Sequence, residues 1–387
     1  MKRLYLDYNA TAPLTPGARQ AVLESLDLFG NASSVHREGR AAFALVQKAR
    51  QALAALLQAD SDAVVFTSGA TEAAASLLTP HYFMGRQPLF MSRLYIGATE
   101  HPAIAEGGFF AQDARVKLPV DADGLVQPAK LAAILAGHDK KQGLPLVAVQ
   151  YANHETGIIQ PIAALAEVTR RAGGLLVVDA VQALGKIPLN IKDSGADFFI
   201  VSAHKIGGLK GAGAYIASGS LIRPRPLMTG GGQEKGQRGG TMPVQALAAF
   251  GAAAIDAAEQ LQHGDKAAAL QKALEQGLKQ LCPDCVIYGE KAARLSNTTY
   301  FSLPSIKAET LHIAFDLAGI ATSSGAACSS GKVGASPVLA AMGAKAEQGA
   351  LRISTGPATK PADIARFLQV LQHILARESG RAALPEK

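Results

Sequence analysis

Five short apolar runs in this chain each break off at a polar group. That repeated break constrains the fold more than any other feature of the 387-residue sequence. Residues 63–67 (AVVFT) give way to Ser68, Gly69, Ala70, Thr71 and Glu72, and residues 94–98 to Thr99, Glu100 and His101. Residues 146–150 lead to Tyr151, Ala152 and Asn153; residues 175–178 (LLVV) lead to Asp179, with Gln182 shortly after. Residues 198–201 end at Ser202, Ala203, His204 and Lys205. Apolar runs this short read as strands covered on both faces, and helix-compatible stretches such as 162–172 lie between several of them. Strand alternating with helix predicts an α/β fold: a mostly parallel sheet flanked by helices. Ligands of such sheets bind beyond the carboxyl ends of the strands, which is where all of these polar residues fall.

The last break carries the most chemistry. A lone lysine at a strand end is ordinarily solvent-facing, because lysine is rarely buried without a partner. Lys205 keeps unusual company, however. A desolvated lysine has a lowered pKa and is suited to forming a Schiff base. Residues 68–72, a Gly-containing turn between strand and helix, offer free N–H groups and the positive end of a helix dipole to an anion, with Ala70 and Thr71 at the helix start. Alone, that turn is equally an ordinary N-cap. Together with Ser202 as a further phosphate ligand and Asp179 as a carboxylate for a pyridinium nitrogen, the set describes pyridoxal phosphate, whose marks are a lysine and an acidic ring partner. His101 is placed to stack on the ring or move protons, and Gln182 to donate to its phenolic oxygen.

Composition narrows the classes. Hydrophobic residues make up 48% of the chain and charged ones 18%, enough for a large core and two domains. No apolar stretch reaches the length of a membrane span, and MKRLYLDYNATAP lacks the apolar core of a signal peptide, so a soluble cytoplasmic protein is expected. The net charge is +7, but Lys and Arg are scattered and aromatic residues are only 5%, which argues against nucleic acid. The charge suits solubility, an anionic cofactor or an acidic protein partner. Three cysteines make no disulfide framework, and Cys282 and Cys285 (CPDC) lack the further ligands a structural zinc site needs, so no metal is expected.

Further along, residues 40–58 show helical spacing of Phe43, Val46, Leu53 and Leu57, read as packing. Residues 229–241 (TGGGQEKGQRGGT) form a glycine-dense loop able to fold tightly or lie close to a ligand or a second subunit. An Ala-rich helix over 244–261 leads out of the large domain. A smaller α+β domain follows, with helices at 267–281 and 309–317, a strand at 297–303 and a terminal helix at 361–377. The division expected is an N-terminal arm (1–14) packing with the small domain, a large domain (15–262) and a small domain (263–387). Within the last lies ATSSGAACSSGKVGASP (321–337), a loop of small residues with Cys328 at its centre and Lys332 nearby to lower its pKa. A buried structural thiol is the plain alternative. Arg352, in LRISTG (351–356), could clamp a carboxylate or simply face solvent.

SGATE (68–72), TEHP (99–102), NHETG (153–157), VDAVQALGK (178–186), SAHK (202–205), GGGQEKGQRGGT (230–241), SSGAACSSG (323–331) and RISTG (352–356) resemble, in order and spacing, the cysteine desulfurases. These are class V, fold-type I members of the aminotransferase superfamily, and the longer cysteine loop is similar to the branch serving nitrogenase and iron–sulfur clusters. The resemblance implies Lys205 as the Schiff-base lysine, Asp179 as the pyridine partner, Gln182 on the ring oxygen and His101 as stacking acid or base. It places Ala70, Thr71, Ser202 and His204 around the phosphate, with Thr241 contributed by the other subunit of a homodimer. Asn153 and Arg352 would bind the carboxylate of L-cysteine, and Cys328 would be the nucleophile that takes up sulfur. The sulfur would pass to an acceptor such as an iron–sulfur scaffold protein. Where the family often carries an aromatic residue or histidine after Lys-Ile, this chain has Gly207. A selenocysteine lyase or another class V aminotransferase or lyase is the alternative on the same scaffold, and a transaminase would have no need of Cys328.

Overall fold

The computed structural model describes residues 3–324 and 336–382 of the chain. Its strands, in chain order, are β1 (Leu4–Tyr5), β2 (Val64–Thr67), β3 (His81–Met84), β4 (Gln87–Gly97), β5 (Arg115–Leu118), β6 (Leu144–Gln150) and β7 (Leu175–Asp179). Then come β8 (Phe198–Ser202), β9 (Gly213–Ala217), β10 (Ile222–Pro224), β11 (Val286–Ile287), β12 (Thr298–Ser302), β13 (Ile320–Ala321) and β14 (Leu351–Ser354).

Strands β2 to β10 form one nine-stranded sheet in the order β10-β3-β4-β6-β7-β8-β9-β2, with β5 also paired to β4. The middle is parallel, from β5 through β4, β6 and β7 to β8. Antiparallel strands extend it at both ends, β9 and β2 on one side and β3 and β10 on the other. The expected parallel core is thus present inside a mixed sheet. Strands β3, β5 and β10 are short, partly exposed and carry no continuous apolar run, so periodicity does not announce them.

Alternation along the central strands decides which face each side chain serves. Val147, Val149, Leu176, Val178, Phe199 and Val201 join one hydrophobic cluster. Their neighbours Leu146, Ala148, Leu175, Val177, Phe198 and Ile200 join the cluster on the opposite face. Both faces are covered, which is why these runs are apolar throughout. Each large side chain buried this way contributes roughly 1.5–3 kcal/mol. On the first face the helices Arg37–Leu56 and Val244–Gln262 press together. A Cβ on Gly251 would stand 2.5 Å from Ala49 Cα, so glycine there permits the close crossing.

A third cluster lies under β12, which pairs antiparallel with β11 and β14. The helices Lys266–Leu281, Ala308–Leu317 and Pro361–Ala382 belong to this part of the chain, and Phe315 stacks on Phe367 with ring centroids 4.5 Å apart. Leu4 and Leu6 join the same cluster, because β1 pairs in parallel with β13 and the Ser354 N–H donates to the Leu6 carbonyl. Among the described residues no helix is long and apolar enough to cross a membrane.

Candidate active site

Strand β2 ends at Thr67 and the chain turns through Ser68 and Gly69 into the helix Ala70–Leu77. Gly69 stands at the N-cap and has no side chain to cap with, and among the described residues no side chain accepts from the N–H groups of the first turn. The cap nearest at hand is spent elsewhere: Glu72 Oε2 accepts from the Ser68 N–H at 2.8 Å, and Arg238 Nε donates to Glu72 Oε1 at 2.8 Å. A side chain on Gly69 would meet nothing within 4 Å, whereas one on Gly213 of β9 would lie 2.6 Å from the Gly69 backbone. The turn is therefore pressed against β9 on one side and open on the other. Open N–H groups at a helix start suit a phosphate.

Strand β8 delivers Ser202, buried, and a single turn of 3-10 helix (Ala203–Lys205) presents His204 and Lys205. Lys205 Nζ donates to the main-chain carbonyls of Asn9 (2.8 Å) and Ala10 (3.0 Å). The N-terminal segment lies directly over this turn, since the Ala12 N–H bonds to His204 O and the Thr15 N–H to Gly207 O, each at 2.9 Å. Gly207 has φ +83°, and a Cβ there would sit 2.6 Å from Thr15 Cγ2. That closeness, with the left-handed backbone, accounts for glycine at this position. Burial pushes the His204 imidazole down to about 4, helped by the Lys205 charge, and its Nδ1 lies 3.3 Å from Thr11 Oγ1.

Asp179 ends β7 beside this turn and accepts from the Val181 N–H at 3.0 Å. Burial raises its carboxyl to about 6, and the Lys205 charge pulls it back. Gln182 is buried on the turn that follows. Its Nε2 donates to the Asn9 carbonyl at 3.0 Å, while its Oε1 accepts from Lys186 Nζ at 2.7 Å. Asn9 is the hub of this corner. Its Nδ2 donates to Thr298 Oγ1, its Oδ1 accepts from Lys186 and Asn297, and its N–H donates to Ser354 Oγ.

His101 follows β4 and caps the short helix Pro102–Ala105, its Nδ1 accepting from the Ala103 N–H. Burial, and then the Lys205 charge, hold it below the ordinary histidine value, so at neutral pH it is an uncharged ring able to accept a proton. It meets the His154 ring edge to face, centroids 5.2 Å apart. Asn153 spends its side chain locally: Nδ2 donates to Thr99 O and Gln150 Oε1, and Oδ1 accepts from the N–H groups of Glu155 and Thr156. In this arrangement it shapes the loop at the site rim.

Arg352 of β14 reaches the same rim from the three-stranded sheet β11-β12-β14. Its Nη2 donates to Asp7 Oδ1 and its Nη1 to the His154 carbonyl, each at 2.7 Å, and its buried Nε has no partner among the described residues. Two described residues near Cys328 in the chain are tied here: Ser323 pairs with Arg352 across a bridge, and Ser336 Oγ donates to Glu155 Oε2 at 2.5 Å. Cys328 and Lys332 themselves lie outside the described residues. Thr241 is exposed at the end of the glycine-dense loop, which is fastened through the buried Arg50–Glu234 pair and through Arg238.

Among the described residues, His101, His154, Asp179, Lys186 and His204 all feel the charge of Lys205. The lysine is thus the centre on which the strand ends converge. An amine beside an ionisable carboxyl, next to uncapped helix N–H groups, fits a pyridoxal phosphate by donor set alone. Sequence reasoning passed over Asn9, Lys186, Asp7 and His154. Asn9 and Asp7 sit in an extended arm with no periodic signal, and their proximity to Lys205 and Arg352 is purely tertiary. Lys186 was within reach, four residues beyond Gln182, a spacing that places two side chains on one side of a helical turn.

Comparison with known proteins gives a concordant result. The family described as Aminotransferase class-V matches residues 4–367. Cysteine desulfurase 2 of Trichormus variabilis is 37% identical over 386 residues, which cover 97% of this chain and 94% of that protein. Among solved structures, a NifS-like protein from Rickettsia africae superposes with a TM-score of 0.85 at 32% identity, covering 97% of this chain and 99% of that one. SspA in complex with cysteine is similar with a TM-score of 0.74 at 25% identity, covering 92% of this chain and all of the other.

Proposed function

This chain belongs to the class-V aminotransferase family, and from that premise we propose that it is a pyridoxal-phosphate-dependent cysteine desulfurase. It converts L-cysteine to L-alanine and moves the sulfur onto a cysteine of its own. The observation that carries the reading is the convergence of Lys205, Asp179 and the uncapped helix start of Ala70–Leu77 on one rim of the sheet.

When bound, the cofactor supplies an electron sink that makes the substrate's α-proton removable. Ser68, Ala70, Thr71, Ser202 and His204 would hold its phosphate, and Asp179, ionised, would pair with its ring nitrogen. Lys205 would carry it covalently and, once released by substrate, serve as the base that takes the α-proton. His101 is neutral at pH 7 and able to accept a proton. Arg352 would hold the substrate carboxylate, with Asn153 shaping the loop it rests on. The Cys328 thiolate attacks the sulfur of L-cysteine; a sulfur–sulfur bond forms, the carbon–sulfur bond breaks with its electron pair going to carbon, and protonation there yields alanine. Ser323 and Ser336, on either side of the segment that carries Cys328, are both held at this rim, which supports that role.

The division into an arm (1–14), a large domain (15–262) and a small domain (263–387) belongs to the same reading. So do a homodimer, with Thr241 reaching the partner's phosphate, a cytoplasmic setting, and delivery of sulfur to an acceptor such as an iron–sulfur scaffold protein.

The test is to incubate cofactor-loaded protein with L-cysteine and a reductant, and to quantify alanine and sulfide together. Equal yields that vanish in Cys328→Ala support the reading. Pyruvate and ammonia in place of alanine, or a Cys328→Ala variant as active as the wild type, would mean a lyase or a transaminase.

A further inference from the structure

Lys186 carries a half-buried amine for which the reaction above has no use. Among the described residues its amine bonds to two neutral oxygens, Gln182 Oε1 at 2.7 Å and Asn9 Oδ1 at 2.8 Å. Among the described residues no carboxylate pairs with it. Burial, then the charges of Lys205 and Arg352, hold it well below the ordinary lysine value. A methionine or leucine would occupy such a position at lower cost. An amine kept there without an acid needs a reason in the residues it touches.

The residue it touches is Gln182, whose amide has two unlike ends: the oxygen only accepts and the nitrogen only donates. In the observed orientation the oxygen faces the Lys186 amine and the nitrogen faces the Asn9 carbonyl. Turning the amide over would set nitrogen against a donor and oxygen against an acceptor. Nε2 carries two hydrogens and Asn9 takes one, which leaves the second as a donor. The same Asn9 carbonyl also accepts from Lys205, so the amide is fixed beside the lysine that would carry the cofactor. Gln182 and Lys186 share one turn, closed by the Lys186 N–H bonding to Ala183 O and by Gly185 at φ +70°.

We propose that Lys186 is a positioning residue for the cofactor ring: it locks the Gln182 amide with its NH2 edge available to the ring oxygen. The proposal rests on the cofactor reading above. A donor held at the ring oxygen favours its ionised form and so lowers the pH at which the bound cofactor's visible absorption changes. Among the described residues, the charged and titratable groups around this corner are Lys205 and Arg352, which act on Lys186, and Asp179, His101, His154 and His204, which face Lys205.

The experiment is a spectrophotometric pH titration of the holoenzyme, without substrate, for wild type, Lys186→Met, Gln182→Ala and the double variant. Lys186→Met is expected to raise the midpoint by about one pH unit, the size of a lost charge-assisted contact. Gln182→Ala should raise it similarly, and adding Lys186→Met to Gln182→Ala should add little, because the two act as one unit. An unchanged midpoint in Lys186→Met overturns the proposal. So does a full shift that persists in the Gln182→Ala background, since the lysine would then act through its charge alone. Should Lys186→Met fail to fold, Lys186→Gln, too short to reach both oxygens, must give a shift of the same sign. A wild-type chain that takes up no cofactor would overturn the cofactor reading and this proposal with it; cofactor uptake with no shift overturns this proposal alone.

Discussion

Arg352 and Asp7 join the two ends of the chain, Nη2 donating to Oδ1 at 2.7 Å with the arginine side chain only 3% exposed. The contact fastens the N-terminal segment to β14 at the edge of the site. A buried guanidinium stripped of its acid is left uncompensated, and breaking one partner of such a pair costs about 3–5 kcal/mol. Asp7→Asn and Arg352→Met should each lower stability by an amount of that order in urea unfolding. The double variant should lose clearly less than the sum. Strict additivity would show that the pair is not coupled.

The close fit of β9 against the phosphate turn makes a second prediction. A methyl group at position 213 would fall 2.6 Å from the Gly69 backbone, which forces the turn away from β9. Overpacking of this kind costs about 1–3 kcal/mol. Gly213→Ala should release cofactor faster on dialysis than the wild type, with a lower melting temperature. Gly69→Ala, whose added carbon meets open space, should change stability little while still weakening cofactor retention, because the methyl occupies the open side of the cradle. Equal retention in both variants and the wild type would place the phosphate elsewhere.

Two groups at the centre should bend the pH dependence of apoprotein stability in opposite directions. His204 titrates at about 4 in the folded chain, below its ordinary 6.5. The unfolded chain therefore binds more protons between those values, and stability rises with pH across that window. Asp179 titrates at about 6, above its ordinary 3.8. Here the folded chain holds the extra proton, so stability falls as pH rises from about 4 to about 6. Relative to wild type, Asp179→Asn should climb more steeply between pH 4 and 6, and His204→Asn less steeply. Urea midpoints across that range read both slopes, and identical slopes in all three proteins would contradict the burial of the two groups.

Lys205→Ala should reduce alanine formation by at least about a hundredfold, the lower end of what a positioned base contributes, while leaving the melting temperature of the apoprotein within a few degrees. Its amine donates to two main-chain carbonyls of the N-terminal segment, which water can serve once the side chain is gone. Retained turnover would move the base to another residue.

How much of this was legible in advance depends on what kind of signal each part leaves. The buried central strands announce themselves, because a strand covered on both faces must be apolar along its length, and the polar residue that ends it marks the ligand edge. Lys205, Asp179, His101 and Ser202 were readable for that reason. Strands β3, β5 and β10 were not, since short half-exposed strands need no apolar run. Nor was the sheet's mixed direction, which follows from how β9 and β2 turn back.

What the sequence by itself determined was the set of chemical groups and the strand ends that present them; local pattern suffices because hydrophobic periodicity and turn residues act over a few positions. What only the tertiary structure decided was the company those groups keep. Asn9 bonds to Lys205, Gln182 and Lys186, and to Asn297, Thr298 and Ser354 near the other end of the chain. Asp7 finds Arg352 in the same way. Such contacts join residues hundreds of positions apart, and no local pattern encodes them. They form because a buried polar atom must find a partner, and the folded chain alone determines which partner is in reach.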